Sequence, residues 1–335
     1  FTAFIVVSVT TPLFGPVWSL VLAFLIAALQ IIVELNAGDI HQHRIEKLTG
    51  IPGVTCTHRM VFFGAIYYPF DLLLRKIPVC NKPMDATALR AKVGVFAENH
   101  IIGFILGILF GIIAGYSVAK TLMLGVQAAT ALVLFPMISK LFMQALSPIS
   151  EAISDYMNKK FSGRKLFVGI DWPFMGGASE IWFAIIVAIP FTLIWALILP
   201  GNKILPFAGI INISLIVPAY LVTRGNTLRM VILSIIGVPF FLFVGTQFAP
   251  MITELGQATK AITIPAGQLI SNSSIDAPVF TYAFSFLFKF LEGNFIPLVF
   301  ALWWGCGYFF YSRELRRESN LAQLEAEQQE KAQQA

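Results

Sequence analysis

Seven stretches of the chain, at 1–33, 99–119, 121–139, 181–202, 204–223, 230–253 and 293–312, contain no Asp, Glu, Lys or Arg. About 20 mostly apolar residues let a helix cross the hydrocarbon core of a bilayer. A soluble helix of that length would instead carry charge on its outer face. Only 12% of the residues are charged and 57% are hydrophobic, against roughly 25% charged in a soluble domain. The pattern predicts an all-α polytopic membrane protein of about seven to eight transmembrane helices with re-entrant hairpins. It excludes a soluble enzyme, a disordered chain and a nucleic-acid binder, because the net charge of +5 has no basic stripe on a polar face behind it.

The first run is too long for one straight span. Thr11, Pro12, Gly15 and Pro16 punctuate it, which predicts the end of one helix, a turn, and a second helix to about Leu35. Three stretches are too short or too polar to span simply: 54–76 with His58, Arg59 and Asp71, 166–180 reading LFVGIDWPFMGGASE, and 276–292 with Lys289 inside. Irregular polar backbone at membrane depth survives where protein or a water-filled cavity covers it, so these are expected to be hairpins or broken helices. With 75–92, 140–165, 224–229 and the C-terminal tail in the cytoplasm, the opposite side keeps only Lys120, Lys203 and Lys260. That satisfies the positive-inside rule if 166–180 and 276–292 each enter and leave on one face. The side of Arg44 and Lys47 depends on whether 54–76 spans, and stays open. Residues 1–317 are expected in the membrane and 318–335 as a polar, solvated cytoplasmic tail. The opening at Phe1, without an initiator Met or a signal peptide, predicts the remainder of a longer protein.

Ionisable groups inside a membrane are costly and are functional candidates by default. Glu98, Asn99 and His100 open one apolar run; they either cap a helix, where carboxylates suit the dipole, or contact a ligand. Asp171 and Trp172 lie in Gly169-Ile170-Asp171-Trp172-Pro173, ahead of Gly176 and Gly177. A carboxylate beside an indole can accept sugar hydroxyls while the ring covers C–H faces; alternatively Asp171 caps the next helix and Trp172 belongs to an interfacial belt. Glu180 is a first-turn acid or a further ligand group. His58 is either a ligand group or a satisfied core histidine. Gly103, Gly107, Gly111 and Gly115 recur every fourth residue and give a flat helix face, suited to static packing or to a moving contact in a core that carries Glu98 and Asp171 together. Cys56, Cys80 and Cys306 form no CxxC pair, so neither a disulfide framework nor a metal site is expected. Nucleotide and cofactor fingerprints are lacking, and no cofactor is expected.

In these residues the chain resembles the galactitol family of membrane IIC subunits of the bacterial sugar phosphotransferase system. The resemblance runs in order through GIPG around Gly50, DLLLRKIP at 71–78, FAEN at 96–99 with GILFGIIAGY behind it, GIDWP at 169–173, LPGNKILPF at 199–207 and RGNTLR at 224–229. It implies a fold of two inverted repeats, each giving helices to a scaffold and a moving core, of which this chain holds mainly the second. It implies a multi-pass protein of the bacterial inner membrane with a cytoplasmic C-terminus, packed as a homodimer in lipid and binding no nucleic acid. Its implied function is that of a permease subunit, no enzyme on its own, which binds a polyol or sugar and delivers it to cytoplasmic IIB (and IIA) partners. Glu98 and Asp171 carry over to the family motifs. His58 stands about one position from the family's histidine, and Ala178 replaces another histidine. Neither GIDWP nor FAEN occurs a second time. Two other readings fit the same scaffold: an ion-coupled or facilitative transporter working through Glu98 or Asp171, and an inactive half-transporter.

Overall fold

The computed structural model describes residues 1–82, 94, 98–161, 166–171, 175, 177–205, 213–270 and 277–334. Helix α1 (Thr2–Thr49) breaks at Gly15, whose φ of 76° and ψ of 170° are non-helical, and Pro12 and Pro16 flank the break. The sequence placed the end of this helix at about Leu35; it continues to Thr49. Fourteen further residues belong to the helix because their charged side chains work outside the apolar slab, where a charge-free run does not register them. Strand β1 (Val54–Thr55), a 3-10 turn (Arg59–Phe63) and α2 (Gly64–Leu74) follow. Next come α3 (Asn99–Ile113), α4 (Val118–Lys160), strand β2 (Val168–Gly169), α5 (Ser179–Ile198), α6 (Ile213–Thr223), α7 (Thr227–Ala258), α8 (Pro278–Ser285), a 3-10 segment (Leu287–Glu292) and α9 (Ile296–Gln334). Among the described residues α1, α4, α5 and α7 are long and apolar enough to cross a membrane, and α3 is a shorter apolar helix. The expected boundary at 317/318 falls inside α9.

The core forms around α2, which α6, α7 and α9 surround. Phe63, Tyr67, Phe241, Trp304 and Tyr311 are all buried there. The approach is close enough that a Cβ at Gly307 would run into the Ala65 carbonyl, and one at Gly237 into the Tyr67 hydroxyl. Helices α3 and α4 form a separate antiparallel hairpin. Three of the four recurring glycines face α4: a Cβ on Gly107 would stand 2.6 Å from the Leu124 carbonyl oxygen, and one on Gly111 2.9 Å from Thr121, whereas Gly115 lies past the end of α3 at φ 68° with nothing within 4 Å. In this conformation the flat face is an intrachain packing surface.

One end of the bundle is tied by ions. Asp71, with a fully buried side chain, meets Arg75 Nε at 2.7 Å and Arg229 Nη1 at 2.8 Å. Arg75 also donates to Glu314 at 2.9 and 3.0 Å. Arg44 bonds to Glu318 at 3.0 Å and to the Leu221 carbonyl at 3.1 Å, and Arg224 reaches Glu314 at 3.0 Å. Burial alone would push the Glu314 carboxyl up, but hydrogen bonds from Arg75 and the charges of Arg75 and Arg224 outweigh it and hold the group at about 2. The cluster settles the open question about 54–76. Arg44 precedes that segment and Arg75 follows it, and both bind the same two turns of α9, so the segment starts and finishes at one end of the bundle.

Removing one member of a buried ion pair leaves an uncompensated charge and costs about 3–5 kcal/mol. Asp71→Ala should therefore lower unfolding stability in detergent by about that amount. Lys289→Met, which breaks the outlying Lys289–Glu292 pair, should cost under about 1 kcal/mol. Equal losses for the two variants would show that the Asp71 cluster is solvated.

Candidate functional site

After the left-handed turn at Gly50 (φ 72°) the chain runs back along α1. The Thr55 hydroxyl donates to the Gly38 carbonyl, and any Cβ on Gly38 would clash with the Thr57 methyl, so the two backbones lie in close contact. Residues 166–171 make the same kind of excursion and pair with the first in parallel. Val54 stands opposite Val168 and Thr55 opposite Gly169. Val168 N–H donates to the Gly53 carbonyl at 2.9 Å and Ile170 N–H to the Thr55 carbonyl at 2.7 Å. Parallel strands ordinarily need a long crossover between them; here α2, α3 and α4 intervene.

The pairing brings the two tips together. Thr57, His58 and Arg59 from the first and Gly169, Ile170 and Asp171 from the second line a cleft of about 460 Å³, closed on the α1 side by Gln30 and Glu34. This lies within the size range of small-ligand sites. From Arg44 back to Gln30 a helix rises about 21 Å, so the cleft lies well inward of the ion cluster, on the scale of a 30 Å hydrocarbon core.

The groups lining the cleft are mixed donors and acceptors. His58 Nδ1 accepts the Met60 N–H at 3.2 Å and caps the 3-10 turn, which assigns the proton of a neutral ring to Nε2. Gln30 Nε2 donates to Glu34 Oε1 at 2.6 Å, and its Oε1 accepts the Thr2 hydroxyl at 2.6 Å. Two carboxylates, one guanidinium, an imidazole, an amide and a hydroxyl suit a small, uncharged, hydroxyl-rich ligand better than an anion. Among the described residues no group of three or more His, Cys, Asp or Glu could hold a metal ion.

The sequence candidates separate accordingly. His58 and Asp171 share the cleft. Asp171 is no helix cap, because that position before α5 belongs to Ala178. Trp172 lies outside the described residues. Glu98 occupies the N-cap position of α3 without a side-chain capping bond, while Asn99 and His100 begin the helix; these three are not among the described cleft-lining residues. Gly103 meets Ala128 and Leu132, and Gly107 meets Leu124. Extending that antiparallel register by a turn sets Glu98 level with about Phe135, whose ring stacks on Trp182 of α5 at 5.4 Å. Gln30, Glu34, Thr57 and Arg59 were not singled out from the sequence. The available signal was a glutamine one helical turn before the acid that closes the first apolar run.

Ile170→Pro would remove the N–H bonded to Thr55 and separate the tips. Cys56, buried beneath the pairing, should then react much faster with N-ethylmaleimide, while buried Cys80 keeps its slow rate and exposed Cys306 its fast one. Unchanged Cys56 reactivity would show that the strand pair does not seal this region.

Comparison with known proteins adds two findings. The family model described as "PTS system sugar-specific permease component" matches residues 1–267. The galactitol-specific EIIC components of the phosphotransferase system (PTS) of Escherichia coli strains K12 and O157:H7 are each 30% identical over 238 residues, covering 70% of this chain and 52% of the relative. The chain thus spans about half the length of the curated relatives it matches. No solved structure gives a significant match.

Proposed function

The chain belongs to the sugar-specific permease component family of the phosphotransferase system, and on that premise we propose that the cleft between the paired tips is the substrate site of a polyol or sugar permease. The observation that carries this reading is the meeting of His58 and Asp171 with Gln30, Glu34 and Arg59 around one cavity well inward of the ion cluster. Asp171 and Glu34 accept hydrogen bonds from substrate hydroxyls, and Arg59 and His58 Nε2 donate to hydroxyl oxygens; the expected role of Trp172 against the C–H faces falls on a residue outside those described. Glu98, Asn99 and His100 approach from the start of α3 as access changes sides.

The ion-cluster end, where Arg44, Lys47, Arg75, Arg224 and Arg229 gather with the start of the polar tail, is the cytoplasmic end of an inner-membrane protein. There a cytoplasmic IIB partner, recharged by IIA, receives the bound polyol. A substrate hydroxyl attacks the phosphorus of the partner's phosphocysteine: the O–P bond forms, the S–P bond breaks, the thiolate leaves, and the hydroxyl proton goes to solvent. This chain contributes binding, orientation and selectivity and needs no nucleophile of its own. The part of the relatives' length that this chain does not span carries the other inverted repeat, and two copies assemble in the membrane.

Hydrogen bonds to charged groups contribute about 1.5–3 kcal/mol each. Asp171→Asn and Glu34→Gln should each weaken galactitol or its functional relative by roughly 10- to 150-fold, read as lost thermal stabilisation across a hexitol and hexose panel. In vesicles, uptake should require phosphoenolpyruvate and the soluble partners. Undiminished stabilisation in both variants would remove the cleft as the site, and uptake without phosphorylation would favour a facilitative or ion-coupled transporter.

A further inference from the structure

A second cavity, of about 390 Å³, lies between α1 and α9 near the ion-cluster end, lined by Asn36, Tyr308, Phe309, Ser312, Arg313 and Arg316. Its polar groups are almost all donors. Arg44, Arg75, Arg224 and Arg229 each have a carboxylate in salt-bridge reach, whereas among the described residues Arg313 and Arg316 have none. Ser312 is only 9% exposed, and its Oγ has no hydrogen-bond partner. The Tyr308 hydroxyl lies beside it and donates to Asn36 Oδ1 at 2.9 Å. The Asn36 amide N–H groups are thereby left as donors. Two guanidiniums, a buried hydroxyl and an amide converge with no carboxylate in the lining.

We propose that this groove binds the phosphate of an anionic phospholipid in the leaflet at the ion-cluster end. The apolar surroundings favour a lipid over a free anion. Helices α1 and α9 run in the same direction here, since Asn36 meets Tyr308 and, two turns on, Arg44 meets Glu318. Away from the cluster the groove faces continue as Ile32, Leu29 and Leu25 on α1 and as Phe309, Cys306 and Leu302 on α9, all exposed. The α9 residues recur at helical spacing with Arg313 and Arg316. An acyl chain along those faces and a phosphodiester between the arginines would satisfy both halves of the groove, and the planar guanidinium fork suits phosphate oxygens. Inorganic phosphate would gain nothing from the apolar half.

The test uses the full chain, purified and delipidated in detergent, then supplied with phosphatidylglycerol, phosphatidylcholine or inorganic phosphate. Phosphatidylglycerol should raise the thermal midpoint above phosphatidylcholine in the wild type and in Arg317→Gln, whose arginine does not line the groove. Arg313→Gln combined with Arg316→Gln should raise the phosphatidylglycerol concentration needed for half of the thermal shift by about 30-fold, the worth of two cationic side chains at an anionic lipid surface. Should that double variant fail to fold, Ser312→Ala read by native mass spectrometry supplies the second measure: less phosphatidylglycerol retained per chain supports the site. Equal stabilisation by the two lipids, an undiminished phosphatidylglycerol effect in the double variant, or undiminished retention in Ser312→Ala would overturn the proposal. A phosphate effect matching that of phosphatidylglycerol would identify a free-anion site and overturn the lipid assignment.

Discussion

Backbone N–H and C=O groups inside a hydrocarbon layer must be paired within the protein, since an unsatisfied group there costs several kcal/mol. The parallel pair Val54–Thr55 with Val168–Gly169 meets that requirement for two segments that are not helical. Neither excursion could satisfy its own extended backbone. Each supplies what the other lacks, and the Thr55 hydroxyl covers the Gly38 carbonyl on the helix alongside. The pairing register also decides which side chains stand just beyond the strands, namely His58 on one tip and Asp171 on the other. The cleft is a consequence of the backbone solution.

A second fixed point complements it. Asp71, Arg75, Arg229, Glu314, Arg44 and Glu318 tie α1, α2, α7 and α9 at one end. Such a network stabilises little when solvated, but with Asp71 buried its members depend on one another. With that end fixed, the distance from the cluster to the tips is set by helix rise along α1. The same rigidity holds α1 and α9 parallel and keeps the outward faces of Asn36 and Ser312 side by side.

Much of this was legible in the sequence, for identifiable reasons. Charge-free runs found α5, α7 and the first half of α4 because lipid exposure enforces apolarity all round a span; α4 continues as helix to Lys160 through the stretch expected as a loop from residue 140. Pro12, Gly15 and Pro16 marked the break in α1, and the polar, glycine-containing stretches at 54–76 and 166–180 marked the excursions. His58 and Asp171 stood out because ionisable groups are rare at depth. Their meeting at one cleft did not, since strand pairing over more than a hundred residues leaves no local periodicity. Gln30 and Glu34 were overlooked because two polar residues one turn apart at the end of an apolar run look like a helix leaving the membrane. The last fourteen residues of α1 were missed because Arg44 reads as a loop charge until Glu318 is placed beside it. The N-cap reading of Asp171 failed since α5 starts only at Ser179, with Ala178 in the cap position.

The account stands or falls on the adjacency of the two tips. In a chain with Cys56→Ala, Cys80→Ala and Cys306→Ala, cysteines at Thr57 and Gly169 can report it, because a Cβ on Gly169 would meet only the Thr57 side chain, with Oγ1 at 3.5 Å. Mild oxidation of the membrane-embedded protein should form the 57–169 disulfide rapidly and nearly completely, while a control pair of Thr57→Cys with Asn202→Cys stays reduced. Failure of the 57–169 pair to cross-link in a folded chain would contradict the strand pairing, and with it the common site of His58 and Asp171.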